Sequence, residues 1–309
     1  MEEFFKVIIA GLDNAGKTSI LTALDKKYDF DKEIVSLKPT IRVEYHATQF
    51  LKNRIVFWDM GGQTKFRELY KKKQDLYFAG TDLMVYIIDI QDEERFNISL
   101  EYLDSILHHF MKNKLDIPLI ISFHKYDPEI RGKEKTISII NDLKEGISQK
   151  YPSVKILFQL TSIYDIISIV QLISYGLSIF DDKFYDLSEL LEKYLNEFNC
   201  SSLIVFDKNG IIISEYYSEF VELDLYTELI ESIKHHLFLL KRMLEESYEA
   251  DYNFSNVGAN LLSYLHRLKI AENSLFISVI IKESLKDEFL EKFTDFLNAI
   301  EKILTPLLT

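Results

Sequence analysis

The chain has 309 residues, 47% of them apolar and 28% charged, with a formal net charge of -13. That length predicts two domains with separate cores, and the apolar share excludes a disordered chain. The acidic balance excludes nucleic acid as a main partner, because a phosphate backbone requires a basic face, and the basic run Lys71-Lys72-Lys73 reads as solvated surface.

The opening MEEFFKVIIAGLDN has no basic leader and does not read as a signal peptide. Glu2 in second position excludes N-myristoylation, and LTPLLT is not a prenylation box. No apolar stretch is long enough to span a bilayer. The single cysteine, Cys200, permits no internal disulfide and reads as a small core residue. A reducing, cytoplasmic setting is therefore expected, with any hold on a membrane surface supplied by a partner.

Residues 1–181 alternate short apolar runs with longer helical patterns. The runs are FFKVIIA (4–10), VEYHATQF (43–50), RIVFWD (54–59), LMVYIIDI (83–90), PLIISF (118–123) and VKILFQLT (154–161). Several are almost wholly apolar, as central strands covered on both faces must be. VEYHATQF alternates instead and passes through Leu51-Lys52-Asn53-Arg54 into the next run, which predicts a hairpin at an antiparallel edge. FNISLEYLDSILHHFMKN has helical periodicity. The expected fold is a doubly wound, mostly parallel α/β domain.

A second domain, α+β, is expected over residues 182–309. It begins with a helix at 186–198, then a hairpin of SLIVFD and IIISEYYS turning at Lys208-Asn209-Gly210. A long helix at about 222–249 follows, then two or three strands, clearest at LFISVIIKE (275–283), and a last helix at about 285–304. The order α-β-β-α-β-β-β-α carries no phosphate-binding motif. His235-His236 reads as a solvated or interface face, since no further ligand stands at metal-binding spacing. The apolar stretches IIISEYY and FLLKRML predict a dimer surface.

Gly11-Leu12-Asp13-Asn14-Ala15-Gly16-Lys17-Thr18 follows a predicted strand and opens a predicted helix, the context that a phosphate-cradling G-x-x-x-x-G-K-[ST] loop requires. Its backbone N–H groups and the helix N-terminus attract a β-phosphate, Lys17 neutralises charge, and the Thr18 hydroxyl suits Mg²⁺. Ser19 is placed for an α-phosphate. Asp13 must turn outward or be paired, because a γ-phosphate repels its carboxylate. In WDMGGQ, Asp59 is the candidate for the metal shell, Gly62 for an N–H to the γ-phosphate, and Gln63 for orienting an attacking water. Thr40 is the candidate switch residue that joins Mg²⁺ in the triphosphate state, and Arg42 is weighed as an arginine finger or a solvated edge charge.

After the fifth strand stands SFHKYD. Asp127 matches the N1–H and 2-amino donors of guanine and rejects adenine, which disfavours an ATPase. The Lys125 stem covers the base plane, and His124 stands where an asparagine usually ties the loops together. Thr161-Ser162-Ile163 supplies a last loop, with backbone N–H groups placed for guanine O6.

On these motifs the region from GLDNAGKTS to TSIYD resembles a small GTPase of the Ras superfamily. GLDNAGKTS and DMGGQ resemble the Arf group, whereas HKYD and TSIYD resemble Rag/Gtr GTPases, which also carry a C-terminal roadblock domain. The resemblance implies a GTP/GDP switch that requires Mg²⁺ and hydrolyses slowly without an activating protein, served also by an exchange factor. It implies pairing with a second Rag-like or roadblock subunit, in a homo- or heterodimer, and tethering by a membrane scaffold. An assembly scaffold holding a structural, rarely hydrolysed guanine nucleotide is the alternative reading.

Overall fold

The structure is a computed structural model and describes residues 4–26, 40–50, 53–165, 168–169, 171–172, 176, 183–207, 212–218, 252–256 and 260–308. The expected turn at 208–210, the helix at 222–249 with His235-His236, and FLLKRML lie outside these residues. The chain divides into two compact units near residue 172.

The first unit is built on a six-stranded sheet in the order β2-β3-β1-β4-β5-β6. Its strands are β1 (Phe4–Gly11), β2 (Val43–Phe50), β3 (Asn53–Met60), β4 (Leu83–Asp89), β5 (Leu119–His124) and β6 (Ile156–Thr161). β1 pairs in parallel with β3 and β4, and β5 in parallel with β4 and β6. Two residues separate β2 from β3, and the Gly61 N–H bonds the Arg42 carbonyl at 2.6 Å, joining the end of β3 to the start of β2 as an antiparallel edge requires. Val7, Ile8, Ile9 and Ala10 of β1 are fully buried, as are Met84, Val85, Tyr86 and Ile87 of β4, so both faces of the sheet are covered.

The helices are α1 (Lys17–Lys26), α2 (Thr64–Lys72), α3 (Gln74–Phe78), α4 (Phe96–Lys112) and α5 (Glu134–Lys150). α4 buries Tyr102, Leu103, Ile106, Leu107 and Phe110, one stripe at helical spacing. The buried Tyr86 hydroxyl donates to the Ser99 carbonyl of α4 at 2.6 Å, which satisfies the polar end of an otherwise apolar contact. Lys71, Lys72 and Lys73 are exposed at the end of α2, as expected of a solvated face.

The second unit has a five-stranded sheet in the order β8-β7-β11-β10-β9, antiparallel at every pairing. The strands are β7 (Ser202–Asp207), β8 (Ile212–Tyr217), β9 (Tyr252–Asn256), β10 (Leu261–Ile270) and β11 (Asn273–Lys282). They lie between α6 (Lys183–Phe198) and α7 (Lys286–Leu308) in the sequence. Phe198 of α6 meets Phe289 and Phe296 of α7 edge-to-face, with ring centroids 5.0 and 5.5 Å apart. Cys200 is buried and packs as the small core residue expected.

Candidate nucleotide-binding site

β1 delivers the chain into the loop 12–16, and α1 leaves from it. Asn14 and Gly16 adopt positive φ (60° and 94°), so consecutive N–H groups turn toward one concavity. A Cβ at Gly16 would stand 2.3 Å from Cδ2 of His124, so glycine is required there both for conformation and for room. Ala15 is buried, and Ser19 follows on α1, half-buried. Lys17 is buried, and its Nζ donates to the Leu12 carbonyl at 2.6 Å. Burial pushes the Lys17 ammonium down to about 8, against the attraction of Asp59 and Asp13.

Three oxygens from distant segments converge beside this loop. Thr18 Oγ1 donates to Asp59 Oδ2 at 2.5 Å, Thr40 Oγ1 reaches the same atom at 3.1 Å, and the two hydroxyls are 2.8 Å apart. Asp59 is fully buried at the end of β3, and its Oδ1 has no hydrogen-bond partner. A buried carboxylate oxygen with no donor and two adjacent hydroxyls is a donor set that fits a hard divalent cation. Glu44 and His46 of β2 each bring one ligand atom within 4.8 Å of Asp59. The motifs did not mark them; the available signal was their alternation on the strand beside Asp59.

Arg42 contributes its backbone to the site. It adopts φ 61°, its side chain is exposed, and its carbonyl accepts from Gly61 N–H and from the Tyr70 hydroxyl, each at 2.6 Å. This geometry favours the solvated edge charge over the arginine finger. Gly62 lies against the phosphate loop, where a Cβ would meet the Asp13 nitrogen at 2.2 Å. Arg67 Nε holds the Gly62 carbonyl at 2.9 Å. Gln63 stands at the N-terminus of α2 without capping it through its side chain. Asp13 is half-exposed and paired with Arg95 at 3.4 Å, one of the two expected ways out of γ-phosphate repulsion.

β5 ends at His124, whose Nδ1 shares a hydrogen bond with Thr161 Oγ1 at 2.8 Å; Thr161 in turn meets Ser122 Oγ at 2.6 Å. Burial, with the Lys125 charge adding to it, pushes the His124 imidazole down to about 3, so the ring is neutral at ordinary pH. Lys125 adopts φ 63° and pairs with Asp89 at 2.6 Å. Asp127 accepts from Ser162 Oγ at 2.6 Å on Oδ1 and from Gln91 Nε2 at 2.8 Å on Oδ2. The Ser162 N–H donates to Ser168 Oγ at 3.1 Å, so Ser162 meets the base motif through its hydroxyl, and one of the loop N–H groups expected to face guanine O6 is engaged elsewhere. Ile163 occupies the adjoining turn.

The model of the ADP-ribosylation factor (Arf) family matches residues 1–165. The chain belongs to this family. Arf-family relatives similar to it include ADP-ribosylation factor-like protein 5 of Caenorhabditis elegans, 35% identical over 124 residues, covering 37% of this chain and 64% of that protein. ADP-ribosylation factor 3 of Arabidopsis thaliana is 32% identical over 122 residues, covering 37% and 62%. The chain thus spans just under two thirds of the length of these relatives. Among solved structures, the Arl6 BBS3 small GTPase from Trypanosoma brucei with bound GppNp is 17% identical, covers 57% of this chain and 97% of that one, and has a TM-score of 0.47. Among the described residues, no helix is long and apolar enough to cross a membrane.

Proposed function

We propose that this Arf-family chain is a GTP-binding and GTP-hydrolysing switch of Rag/Gtr type. The observation that carries the reading is the convergence of Thr18, Thr40 and Asp59 beside the phosphate loop, with Asp59 Oδ1 left without a donor. A Mg²⁺ there would neutralise charge between the β- and γ-phosphates. In this reading Thr18 and Thr40 ligate it and Asp59 orders its shell. Asn14, Ala15 and Gly16 present backbone N–H groups to the phosphates, with Lys17 as their counter-charge and Ser19 toward the α-phosphate. Gly62 faces the γ-phosphate and Gln63 orients the attacking water. Asp127 reads guanine, assisted by Lys125, His124, Ser162 and Ile163. Loss of the γ-phosphate releases Thr40 and the Gly61-Gly62-Gln63 segment, and partners read the difference.

Residues 1–181 form the switch domain and residues 182–309 a roadblock-like dimerisation domain. The antiparallel sheet of the second unit, entered by a helix and two strands and left by three strands and a helix, supports that assignment. The partners are a second Rag-like or roadblock subunit, an activating protein and an exchange factor. The setting is cytoplasmic, at a membrane surface when a partner scaffold holds it there.

The test is competition for the base site, followed by turnover. Protein stripped of nucleotide is loaded with fluorescent GDP and Mg²⁺ and challenged with GTP, ATP and XTP; GTP alone is expected to compete. Gln63→Leu is expected to keep nucleotide affinity within about twofold and to lower turnover at least about tenfold. Equal competition by ATP overturns guanine reading. Bound GTP that stays uncleaved for hours, with and without added partners, favours the scaffold holding a structural nucleotide.

A further inference from the structure

The base motif is gripped from a side that no motif marks. Gln91 lies just past β4, and both hydrogens of its carboxamide are in use. Nε2 donates to the Lys125 carbonyl at 2.8 Å and to Asp127 Oδ2 at 2.8 Å. The Gln91 backbone N–H donates to Asp89 Oδ1 at 3.0 Å, while the other oxygen of Asp89 pairs with Lys125 Nζ at 2.6 Å. The end of β4 therefore holds the base loop at three points: the Lys125 ammonium, the Lys125 carbonyl and the Asp127 carboxylate.

We infer that Gln91 is a positioning residue that sets the guanine specificity of Asp127, an inference that rests on the guanine reading above. Two physical reasons support it. Lys125 sits at φ 63°, a left-handed conformation disfavoured for any residue that carries a side chain, and a hydrogen bond to its carbonyl helps hold it there. A bond to one oxygen leaves the Asp127 carboxylate more freedom to turn about its last bond than bonds to both oxygens do. Ser162 engages Oδ1 and Gln91 engages Oδ2. A carboxylate has about four acceptor sites, so one on each oxygen is left for the two guanine donors, with its plane already set. Gln91 is itself exposed, so its replacement opens no cavity in the core.

Fluorescent GDP is loaded onto the full chain, wild type, Gln91→Ala and Gln91→Glu. Its release is timed, and GDP, IDP and ADP compete for the site. IDP lacks the 2-amino group and so makes one bond fewer to Asp127. Wild type is expected to prefer GDP over IDP and to reject ADP. Gln91→Ala is expected to release GDP about tenfold faster, the size of one hydrogen bond to a charged group, and to narrow the GDP:IDP ratio. Gln91→Glu is the same size but sets an acceptor against two acceptors. It is expected to be worse than Gln91→Ala at neutral pH and to recover on mild acidification. Unchanged release and an unchanged ratio in Gln91→Ala overturn the inference. Equal weakening of GDP and IDP, with a lowered melting temperature, also overturns it, because that marks a purely structural role. A wild type that binds ADP as well as GDP overturns the guanine reading itself, and this inference with it.

Discussion

Burial and the neighbouring Lys125 ammonium keep the His124 imidazole uncharged where it joins β5 to Thr161 and lies on Gly16. The proton then links folding to pH. The unfolded chain takes it up near 6.5 and the folded chain only near 3, so the unfolded state binds more protons between those values. The contribution of His124 to stability is complete above about pH 6.5 and falls by about 1.4 kcal/mol per unit as the pH drops toward 3. His124→Asn removes that titration. Thermal unfolding measured from about pH 7 to pH 5 is expected to show a shallower acid loss in the variant by about 2 kcal/mol. Identical slopes would mean that the ring is not held neutral. At this scale the candidate phosphate and base motifs were legible because the proposed ligand groups call for particular residue types. Gln91 and Arg95 were not, since their relevance comes from strands and helices brought together across the sheet.

Among elements, the segment between β3 and α2 is held by a few bonds to the start of β2. The Tyr70 hydroxyl and the Gly61 N–H share one acceptor, the Arg42 carbonyl. Tyr70→Phe keeps the buried ring and deletes one of these bonds. The expected cost is about 1 kcal/mol, read as a fall of about 3 °C in melting temperature. An unchanged melting temperature would show that Gly61 alone secures the contact. The central strands β1, β4 and β5 were legible as unbroken apolar runs, because a parallel strand covered on both faces leaves no room for alternation. The β10–β11 hairpin was less so. Its two-residue turn is Ala271-Glu272, with Ala271 at φ 51°, where a glycine or asparagine is the usual signal. Ten paired positions across the two strands hold a turn that the local residues would not choose.

For the molecule as a whole, each of the two compact units has its own sheet. Under the proposed boundary, residues 1–181 alone are expected to fold, bind GDP as the full chain does, and run as a monomer. The full chain is expected to give twice its chain mass by light scattering at micromolar concentration. Equal, monomeric behaviour of both would remove self-pairing through the second unit and leave a different subunit as its partner.

By itself the sequence determined the α/β class, the phosphate loop, the candidate metal oxygens and the candidate base motif, because local chemistry and hydrophobic period specify each of them within a few residues. Only the tertiary structure decided how those pieces are held. It placed His124 against Gly16, gave Arg42 a backbone role, took up the Ser162 N–H with Ser168, and brought Gln91 to Asp127. Each of these depends on strand order and on which groups are left unpaired after packing, and neither is encoded in the spacing of a motif.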